Sequence, residues 1–195
     1  MDRPMNICVY CGSAMGNGGT YASAARETGR MIARMGLALV YGGACCGTMG
    51  QVADAVMEHG GKVHGIIPDF FENHEFEVIH PGLTKLTRVR TMAERKEMLI
   101  AEADLFLTLP GSYGTMDELF ETLVLVQLKR IEKPVFLLNL DGFYDAMLLQ
   151  LDKMQEAGFL NAENRRLLHV ADTTEELEKE LRRLIRITDL KKQEK

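Results

Sequence analysis

The stretch that decides the fold is "DLFLTLPGSYGTMDELFE" (residues 104–121), which changes from a strand pattern to a helix pattern within a few positions. Its first part is a continuous apolar run of strand length, and its last part repeats apolar residues with the period of a helix. Glycines and Pro110 stand between the two parts. Continuous apolar strands that lead into helices are typical of parallel sheets covered on both faces. We therefore predict an α/β fold.

The same alternation continues along the chain on both sides of this stretch. Strands are predicted at 6–10, 37–43, 62–68, 104–110 and 133–140, with a further strand within 77–90, and helices at 20–35, 49–59, 91–103, 114–128, 143–157 and 174–186. No repeat, low-complexity segment or linker divides the chain. The pattern predicts a doubly wound parallel sheet in a single domain, residues 1–188, followed by a charged C-terminal tail, residues 189–195.

The composition of the 195-residue chain is that of an ordinary globular protein, with 46% hydrophobic and 26% charged residues. Its formal net charge of −5 argues against nucleic acid as the main partner, because no excess of basic residues is present to neutralise a phosphate backbone. The first residues lack a signal-peptide pattern, and no apolar stretch reaches the roughly 18 residues of a membrane span. We expect a cytoplasmic protein without a membrane partner.

The four cysteines offer two interpretations. Cys8 and Cys11 have C-x-x-C spacing, and Cys45 and Cys46 are adjacent. A redox or zinc site is one interpretation, although a redox motif would open a helix and zinc would need a second close pair of ligands. The other interpretation, reduced thiols packed as small hydrophobic side chains, fits the strand context of Cys8 better. The five histidines show no metal spacing, so no metal site is predicted.

Glycine clusters follow three of the predicted strands. They are "YCGSAMGNGG" (10–19), "YGGACCGTMG" (41–50) and "PGSYGT" (110–115), and each precedes a helix. In parallel α/β sheets ligands bind at the carboxyl ends of the strands, and helix N-termini bind phosphate there. Glycines needed only for tight turns would explain one such loop, but the set of three indicates a phosphate-bearing ligand. None of the loops has the Walker A or the G-x-G-x-x-G pattern.

Two predicted helices carry polar residues in unexpected places. On the helix from Gly114, Glu118 and Glu121 form an acidic stripe on an otherwise apolar helix, so the stripe should face a polar site or a subunit contact. Thr115 and Glu118 also have the spacing of a capping box, as do Thr91 and Glu94 at the start of the helix 91–103. In that helix, Arg95 and Lys96 are either part of a solvated face or, given the apolar residues around them, part of a site.

These stretches carry a family resemblance. At "RTMAERKEML" (90–99) and "LPGSYGTMDELFE" (109–121) the chain resembles the LOG ("Lonely Guy") family, cytokinin riboside 5′-monophosphate phosphoribohydrolases with the pattern M-x-x-R-K followed by P-G-G-x-G-T-x-x-E. The residues that fit are Met92, Arg95 and Lys96, then Pro110, Gly111, Gly114, Thr115 and Glu118. The likeness extends through "VYCGS", "VYGG", "GIIP" and the "QL…KP" segment, and so over nearly the whole chain.

The resemblance implies a Rossmann-like fold, a homodimer with its site near the subunit contact, and hydrolysis of the N-glycosidic bond of AMP or N6-modified adenine nucleotides. It implies catalysis by Arg95 and Glu118, and no cofactor or metal. From the capping-box spacing we expect Glu118 to cap its helix as well. The implied substrate-binding residues are Gly12, Ser13, Gly42, Gly43, Met92, Lys96, Gly111, Ser112, Tyr113, Gly114, Thr115 and Glu121. The backbone N–H groups of 111–115 would hold the phosphate. A non-catalytic nucleotide or cofactor carrier, or a purely structural oligomer, is the alternative.

The chain departs from the family pattern at several positions. They are Ala44, Ser112 and Lys129, where the family usually has glycine, together with Thr48 for leucine, Ala93 for histidine and Leu125 for tryptophan. A side chain at Ser112 limits left-handed backbone geometry. Many sequences of this type are labelled lysine decarboxylases, but no lysine here stands in a context that indicates a cofactor Schiff base.

Overall fold

Seven parallel strands form one sheet in the computed structural model, which describes residues 3–73 and 78–193. In chain order they are β1 (Asn6–Tyr10), β2 (Ala38–Tyr41), β3 (Val63–Pro68), β4 (Lys85–Val89), β5 (Leu105–Thr108), β6 (Val135–Leu138) and β7 (Leu168–Ala171). Their order across the sheet is β4-β3-β2-β1-β5-β6-β7. The strands at the centre are buried on both faces, as their continuous apolar sequences predict.

The helices cover both faces of this sheet. They are α1 (Thr20–Arg34), α2 (Gly47–Glu58), α3 (Met92–Glu102), α4 (Tyr113–Gln127), α5 (Asp145–Glu156), α6 (Ala162–Arg165) and α7 (Thr174–Gln193). Residues of α1, α2 and α7 pack into one hydrophobic core, and residues of α3, α4 and α5 pack into a second core on the opposite face. The predicted doubly wound α/β sheet is therefore confirmed.

The structure adds two short elements that the sequence pattern did not predict. Strand β7 lies at the edge of the sheet and buries only its two end residues, so it lacks the continuous apolar run of the central strands. Helix α6 has only 4 residues, too few to show a helical period. Helix α7 is longer than predicted and continues to Gln193. The domain boundary at residue 188 stays a prediction, and His74 and residue 77 lie outside the described residues.

The strand order creates a crevice beside β1. The chain adds β2, β3 and β4 on one side of β1 and then crosses to place β5 on the other side. The loops that follow β1 and β5 consequently lead to opposite faces of the sheet, which leaves an opening at their carboxyl ends. Two of the three predicted glycine loops border this opening, and the third follows β2 next to it. Within the described residues, no helix is long and apolar enough to cross a membrane.

Candidate active site

A cleft of about 500 Å³ lies at the carboxyl edge of the sheet. The loops after β1, β2 and β5 and the first turns of α3 and α4 form its walls. The predicted site residues that line it are Gly12, Ser13, Gly42, Met92, Arg95, Ser112, Gly114, Thr115 and Glu118. Val9, Cys11, Met49 and Asp117, which were not predicted, line it as well.

The other predicted residues lie beside the cleft. Gly43 has a φ of 84°, in the left-handed region that favours glycine, and a Cβ there would lie a close 3.2 Å from the Cβ of Ile67 on β3. Gly111 lines a neighbouring apolar pocket, and the Tyr113 side chain is 94% exposed at the start of α4. Lys96 and Glu121 contact each other next to the cleft. That these residues contact the substrate remains a prediction.

Arg95 is the buried cation of this cleft. Its side chain extends from the first turn of α3, and the residue is only 5% exposed. Nε donates to the carbonyl oxygen of Ile66 and Nη2 to that of Gly42, both at 3.2 Å. The alternative in which Arg95 belongs to a solvated face is therefore wrong. One carbonyl acceptor from strand β3 and one from the loop after β2 fix the guanidinium, and it keeps further N–H donors for other groups.

Thr91 caps the N-terminus of α3, the helix that carries Arg95. The Thr91 side chain accepts a hydrogen bond from the backbone N–H of Glu94 at 3.1 Å, and the Glu94 carboxylate accepts one from the backbone N–H of Arg90 at 2.8 Å. The predicted cap by Thr91 is thus confirmed. It fixes the helix start, and so it fixes the turn on which Arg95 lies.

Glu118 lies on α4 and lines the same cleft as Arg95. Its negative charge is close enough to the buried Cys8, Tyr10 and Cys11 to add to the effect of their burial, and both effects raise the pKa of these three groups. The side chain of Thr122 donates to the backbone carbonyl of Glu118 and lies 2.9 Å from the Tyr10 hydroxyl. These bonds connect the Glu118 turn of α4 to β1.

The predicted capping box of Thr115 and Glu118 is wrong. Helix α4 begins at Tyr113, with Ser112 at the N-cap in extended geometry, φ −110° and ψ −153°. The first intrahelical bond runs from the N–H of Met116 to the carbonyl of Ser112 at 3.0 Å. Glu118 is therefore the sixth residue of the helix, where it has no orphan N–H of the first turn to satisfy. The negative φ also shows that a side chain at Ser112 fits this loop.

The start of α4 is a suitable binding position for an anion. The backbone N–H groups of Tyr113, Gly114 and Thr115 precede the first intrahelical bond, and Gly114 and Thr115 line the cleft. Such N–H groups and the positive end of the helix dipole favour phosphate. A Cβ at Gly111 would overlap the Thr115 side chain, so the glycine allows the loop to pass close to the helix.

Lys96 connects α3 to α4. Its Nζ lies 2.9 Å from Asp117 Oδ2 and 2.7 Å from Glu121 Oε2. Hydrogen bonds to Glu121 and Asp117 raise the pKa of Lys96. A lysine that forms a Schiff base needs a neutral amine, so a raised pKa is the opposite of what that chemistry requires. Among the described residues that line the cleft there is no lysine.

The thiols and imidazoles have structural surroundings. Cys8 and Cys11 are buried free thiols, as the packing interpretation expects. His64 Nε2 lies 2.8 Å from the Thr87 hydroxyl, and His80 Nε2 lies 3.2 Å from Asp54 Oδ1. Over residues 3–73 and 78–193 no three His, Cys, Asp or Glu side chains come together as a metal site.

Sequence comparison identifies close relatives of the chain. The family model described as "Possible lysine decarboxylase" matches residues 49–181. Cytokinin riboside 5′-monophosphate phosphoribohydrolase LOG of Oryza sativa subsp. japonica is 42% identical over 175 residues, which cover 90% of this chain and 72% of that protein. Cytokinin riboside 5′-monophosphate phosphoribohydrolase LOG2 of Arabidopsis thaliana is 39% identical over 175 residues, 90% of this chain and 81% of that protein.

Solved structures share the fold at lower identity. The molybdenum cofactor binding protein from Rippkaea orientalis superposes with a TM-score of 0.69 at 20% identity, covering 94% of this chain and 98% of that one. The molybdenum cofactor carrier protein MCP from Chlamydomonas reinhardtii gives a TM-score of 0.68 at 22% identity, covering 94% and 99%. Likeness at this level of identity shows the fold alone.

The relatives at about 40% identity match nearly the whole chain, including both motif stretches. The two motifs meet in the structure, since Arg95 of the first and Glu118 of the second line one cleft. The chain belongs to the LOG family of cytokinin riboside 5′-monophosphate phosphoribohydrolases.

Proposed function

We propose that this protein hydrolyses the N-glycosidic bond of adenine-type nucleoside 5′-monophosphates, either AMP or nucleotides with an N6-modified adenine, to the free base and ribose 5-phosphate. One observation carries the proposal: a buried arginine from α3 and a carboxylate from α4 line a single cleft that also contains the N-terminus of α4. The names of the relatives support the same reaction.

Glu118 is the proposed catalytic carboxylate. In the reaction the bond from C1′ to the base nitrogen breaks, the oxygen of water bonds to C1′, and the departing base takes up a proton. The transition state has oxocarbenium character, so a carboxylate near C1′ stabilises the developing positive charge and accepts a proton from the attacking water. The bonds that connect the Glu118 turn to β1 hold the part of the helix backbone that carries this carboxylate.

Arg95 is the proposed partner of Glu118. Its guanidinium is fixed by the carbonyl groups of Gly42 and Ile66. A fixed cation in the same cleft orients the carboxylate and the nucleotide without losing side-chain entropy at the moment of binding. Arg95→Lys keeps the charge but loses the planar donor geometry, so we expect it to lower kcat/KM about as far as Arg95→Ala does.

The start of α4 is the proposed phosphate site. The N–H groups of Tyr113, Gly114 and Thr115 supply donors, and the Ser13 and Ser112 hydroxyl groups lie in the adjoining walls. Binding energy from the phosphate then contributes to catalysis at the distant glycosidic bond. AMP should be cleaved, whereas adenosine should be nearly inert.

The outer face of α4 is the proposed contact of a homodimer. Phe120, Val124 and Leu128 are 36%, 50% and 59% exposed. Phe120 and Val124 also line an apolar groove of about 650 Å³ between α4, α5 and α6. An exposed apolar face of this kind favours a subunit contact. Light scattering should give twice the mass of one chain, and Val124→Asp should shift the mass towards that of one chain.

The test of the reaction is incubation of the pure protein with AMP, with an N6-modified AMP and with adenosine, followed by chromatography for the free base. Release of base from a monophosphate supports hydrolysis, and a carrier protein would return the nucleotide intact. The ratio of the two monophosphate rates identifies the preferred base. Arg95→Ala and Glu118→Gln are the controls for a contaminating nucleosidase. A chelator should leave the rate unchanged.

A further inference from the structure

A buried hydroxyl group holds the loop that follows β1. Thr48, near the start of α2, is 3% exposed. Its Oγ1 donates to the carbonyl oxygen of Gly12 and accepts from the N–H of Gly12, both at 3.0 Å. One side chain therefore satisfies both backbone polar groups of one loop residue.

A second buried hydroxyl group holds the loop that follows β5. Tyr144, just before α5, is 3% exposed, and its hydroxyl donates to the carbonyl oxygen of Leu109 at 2.8 Å. The backbone of Gly111 lies close enough to the same hydroxyl to lower the pKa of Tyr144 against the larger effect of burial. The Tyr144 backbone is fixed in turn, because its N–H donates to Asn139 Oδ1 at 2.7 Å. The Tyr144 hydroxyl thus holds the carbonyl group of Leu109, which directly precedes Pro110 in this loop.

The two loops meet at the residues that these hydroxyls hold. A Cβ built on Gly12 would lie 3.6 Å from the α-carbon of Gly111. Gly12 and Ser112, the residue after Gly111, both line the cleft. The N–H of Gly12 is already bonded to Thr48, whereas the N–H groups of Tyr113, Gly114 and Thr115 precede the first intrahelical bond of α4 and remain as donors for a phosphate.

We propose that Thr48 and Tyr144 are positioning residues for the 5′-phosphate: they set the distance between the loop at Gly12 and the start of α4, and so hold the donors of α4 at the spacing that the phosphate requires. This inference rests on the proposed function. Neither hydroxyl touches the substrate. Both act through the backbone, and preorganised donors lose their effect when they move by about 1 Å.

The test uses Thr48→Val and Tyr144→Phe, which remove the hydroxyl groups and keep the size of the side chains. The readouts are the Kd for ribose 5-phosphate by calorimetry and kcat and KM for AMP. We expect the Kd and the KM to rise about tenfold in each variant. A merely structural role would lower the fraction of active protein, and with it kcat, at an unchanged Kd. Thr48→Ser, which restores a hydroxyl, should keep the wild-type Kd.

The chain offers matched controls for both variants. Thr28 and Tyr41 are 0% and 1% exposed, and neither hydroxyl has a hydrogen-bond partner among the residues that the structure describes. Thr28→Val and Tyr41→Phe therefore remove buried hydroxyl groups that hold no loop. Both controls should keep the wild-type Kd for ribose 5-phosphate.

A wild-type Kd in both Thr48→Val and Tyr144→Phe overturns the inference, and so does an equal rise in the two controls. If one of the two variants does not fold, the Kd of the other variant for ribose 5-phosphate tests the inference, together with the Kd of Thr48→Ser. A wild-type protein that binds ribose 5-phosphate but releases no base from any monophosphate contradicts the proposed hydrolysis alone, and the Kd comparison still stands. A wild-type protein that does not bind ribose 5-phosphate overturns the inference as well.

Discussion

The Nη2 atom of Arg95 lies 3.2 Å from the carbonyl oxygen of Gly42. This contact brings the backbone of the loop after β2 against the guanidinium with no side chain between them. A Cβ built on Gly42 would overlap Nη2 and lie 3.0 Å from the sulfur of Met49. Glycine is needed here for the close approach of backbone and guanidinium, a packing requirement rather than a conformational one.

The first prediction follows from this contact. Gly42→Ala should push the Arg95 guanidinium away from the carbonyl groups that fix it, and kcat/KM for the best nucleotide should fall at least tenfold. The φ of Gly42 is outside the left-handed region, so alanine is compatible with its backbone and the protein should stay folded. Steady-state kinetics and a melting curve measure the two effects. Near-native kinetics in the variant would show that Arg95 has room to adjust.

The second prediction concerns Glu118→Gln, and the observed start of α4 makes its expected result more specific. Because Glu118 is the sixth residue of α4 and glutamine keeps the size and the helix preference of the side chain, the protein should stay folded, which a melting curve checks. If the carboxylate is catalytic, the same substitution removes the charge that stabilises the oxocarbenium ion. Activity should then fall by about 10²-fold or more.

Glu97→Gln is the matched control for Glu118→Gln. Glu97 is an exposed glutamate on α3 and does not line the cleft. It should change neither the rate nor the melting temperature. The double variant Arg95→Ala with Glu118→Gln should be little worse than either single variant, since residues that act as a unit give non-additive losses. A folded Glu118→Gln protein with near-native turnover would exclude the catalytic role.

The start of α4 shows which local features could be predicted from the sequence and which could not. The strand, the glycine turn and the helix were all predictable, because burial of a strand and of a helix gives different hydrophobic periods. The pattern did not resolve whether Ser112 or Thr115 is the N-cap, since both residue types are good caps and both are followed by helix-forming residues. Only the backbone geometry at Ser112 decides between them.

The hydroxyl groups of Thr48 and Tyr144 could not be identified from the sequence as positioning groups. Arg95 and Glu118 were singled out because charged residues on an apolar helix are conspicuous in the sequence and because both residues fit the pattern of the family. Thr48 and Tyr144 carry no such signal, because a threonine or a tyrosine in an apolar segment is ordinary. Their partners, Gly12 and Leu109, are 36 and 35 residues away in sequence. Contacts at that separation depend on the strand order, which the sequence pattern did not supply.

The third prediction concerns the thiol that lines the cleft. Burial raises the pKa of Cys11 to about 12. The thiolate is the reactive form, so Cys11 should be protonated and unreactive at every pH well below 12, and the fraction of thiolate should rise only as the pH approaches that value. Iodoacetamide at about pH 8, near the pKa of a free thiol, should leave Cys11 unmodified in the folded protein.

Peptide mass spectrometry after alkylation measures the extent to which Cys11 is modified. The same treatment in urea is the control, because unfolding restores an ordinary thiol and Cys11 should then be modified. Cys45 and Cys46 are only half-buried in the fold, which makes them internal references for access by the reagent. Rapid modification of Cys11 in the native protein, with loss of activity, would mean that the cleft opens further than the structure indicates.

Lys129 carries the last prediction. It directly follows the C-cap of α4 and has a φ of 54°, in the left-handed region that favours glycine. The N–H of Arg130 bonds to the carbonyl of Leu125 at 2.9 Å, and the N–H of Lys129 to that of Val126 at 3.0 Å. This is a Schellman motif, in which the residue at the Lys129 position is usually glycine.

Lys129→Gly should therefore stabilise the protein. A non-glycine residue in the left-handed region costs about 1–2 kcal/mol, and the greater chain entropy of unfolded glycine offsets about half of the gain. The Lys129 side chain is exposed, so no packing is lost. We expect a gain of about 0.5–1 kcal/mol, or roughly 1–4 °C in Tm, at unchanged activity. Lys129→Ala is the control: it removes the charge but keeps the Cβ, so it should give no gain. If alanine raised Tm as much as glycine, the effect would come from the charge, and the strain assigned to Lys129 would be wrong.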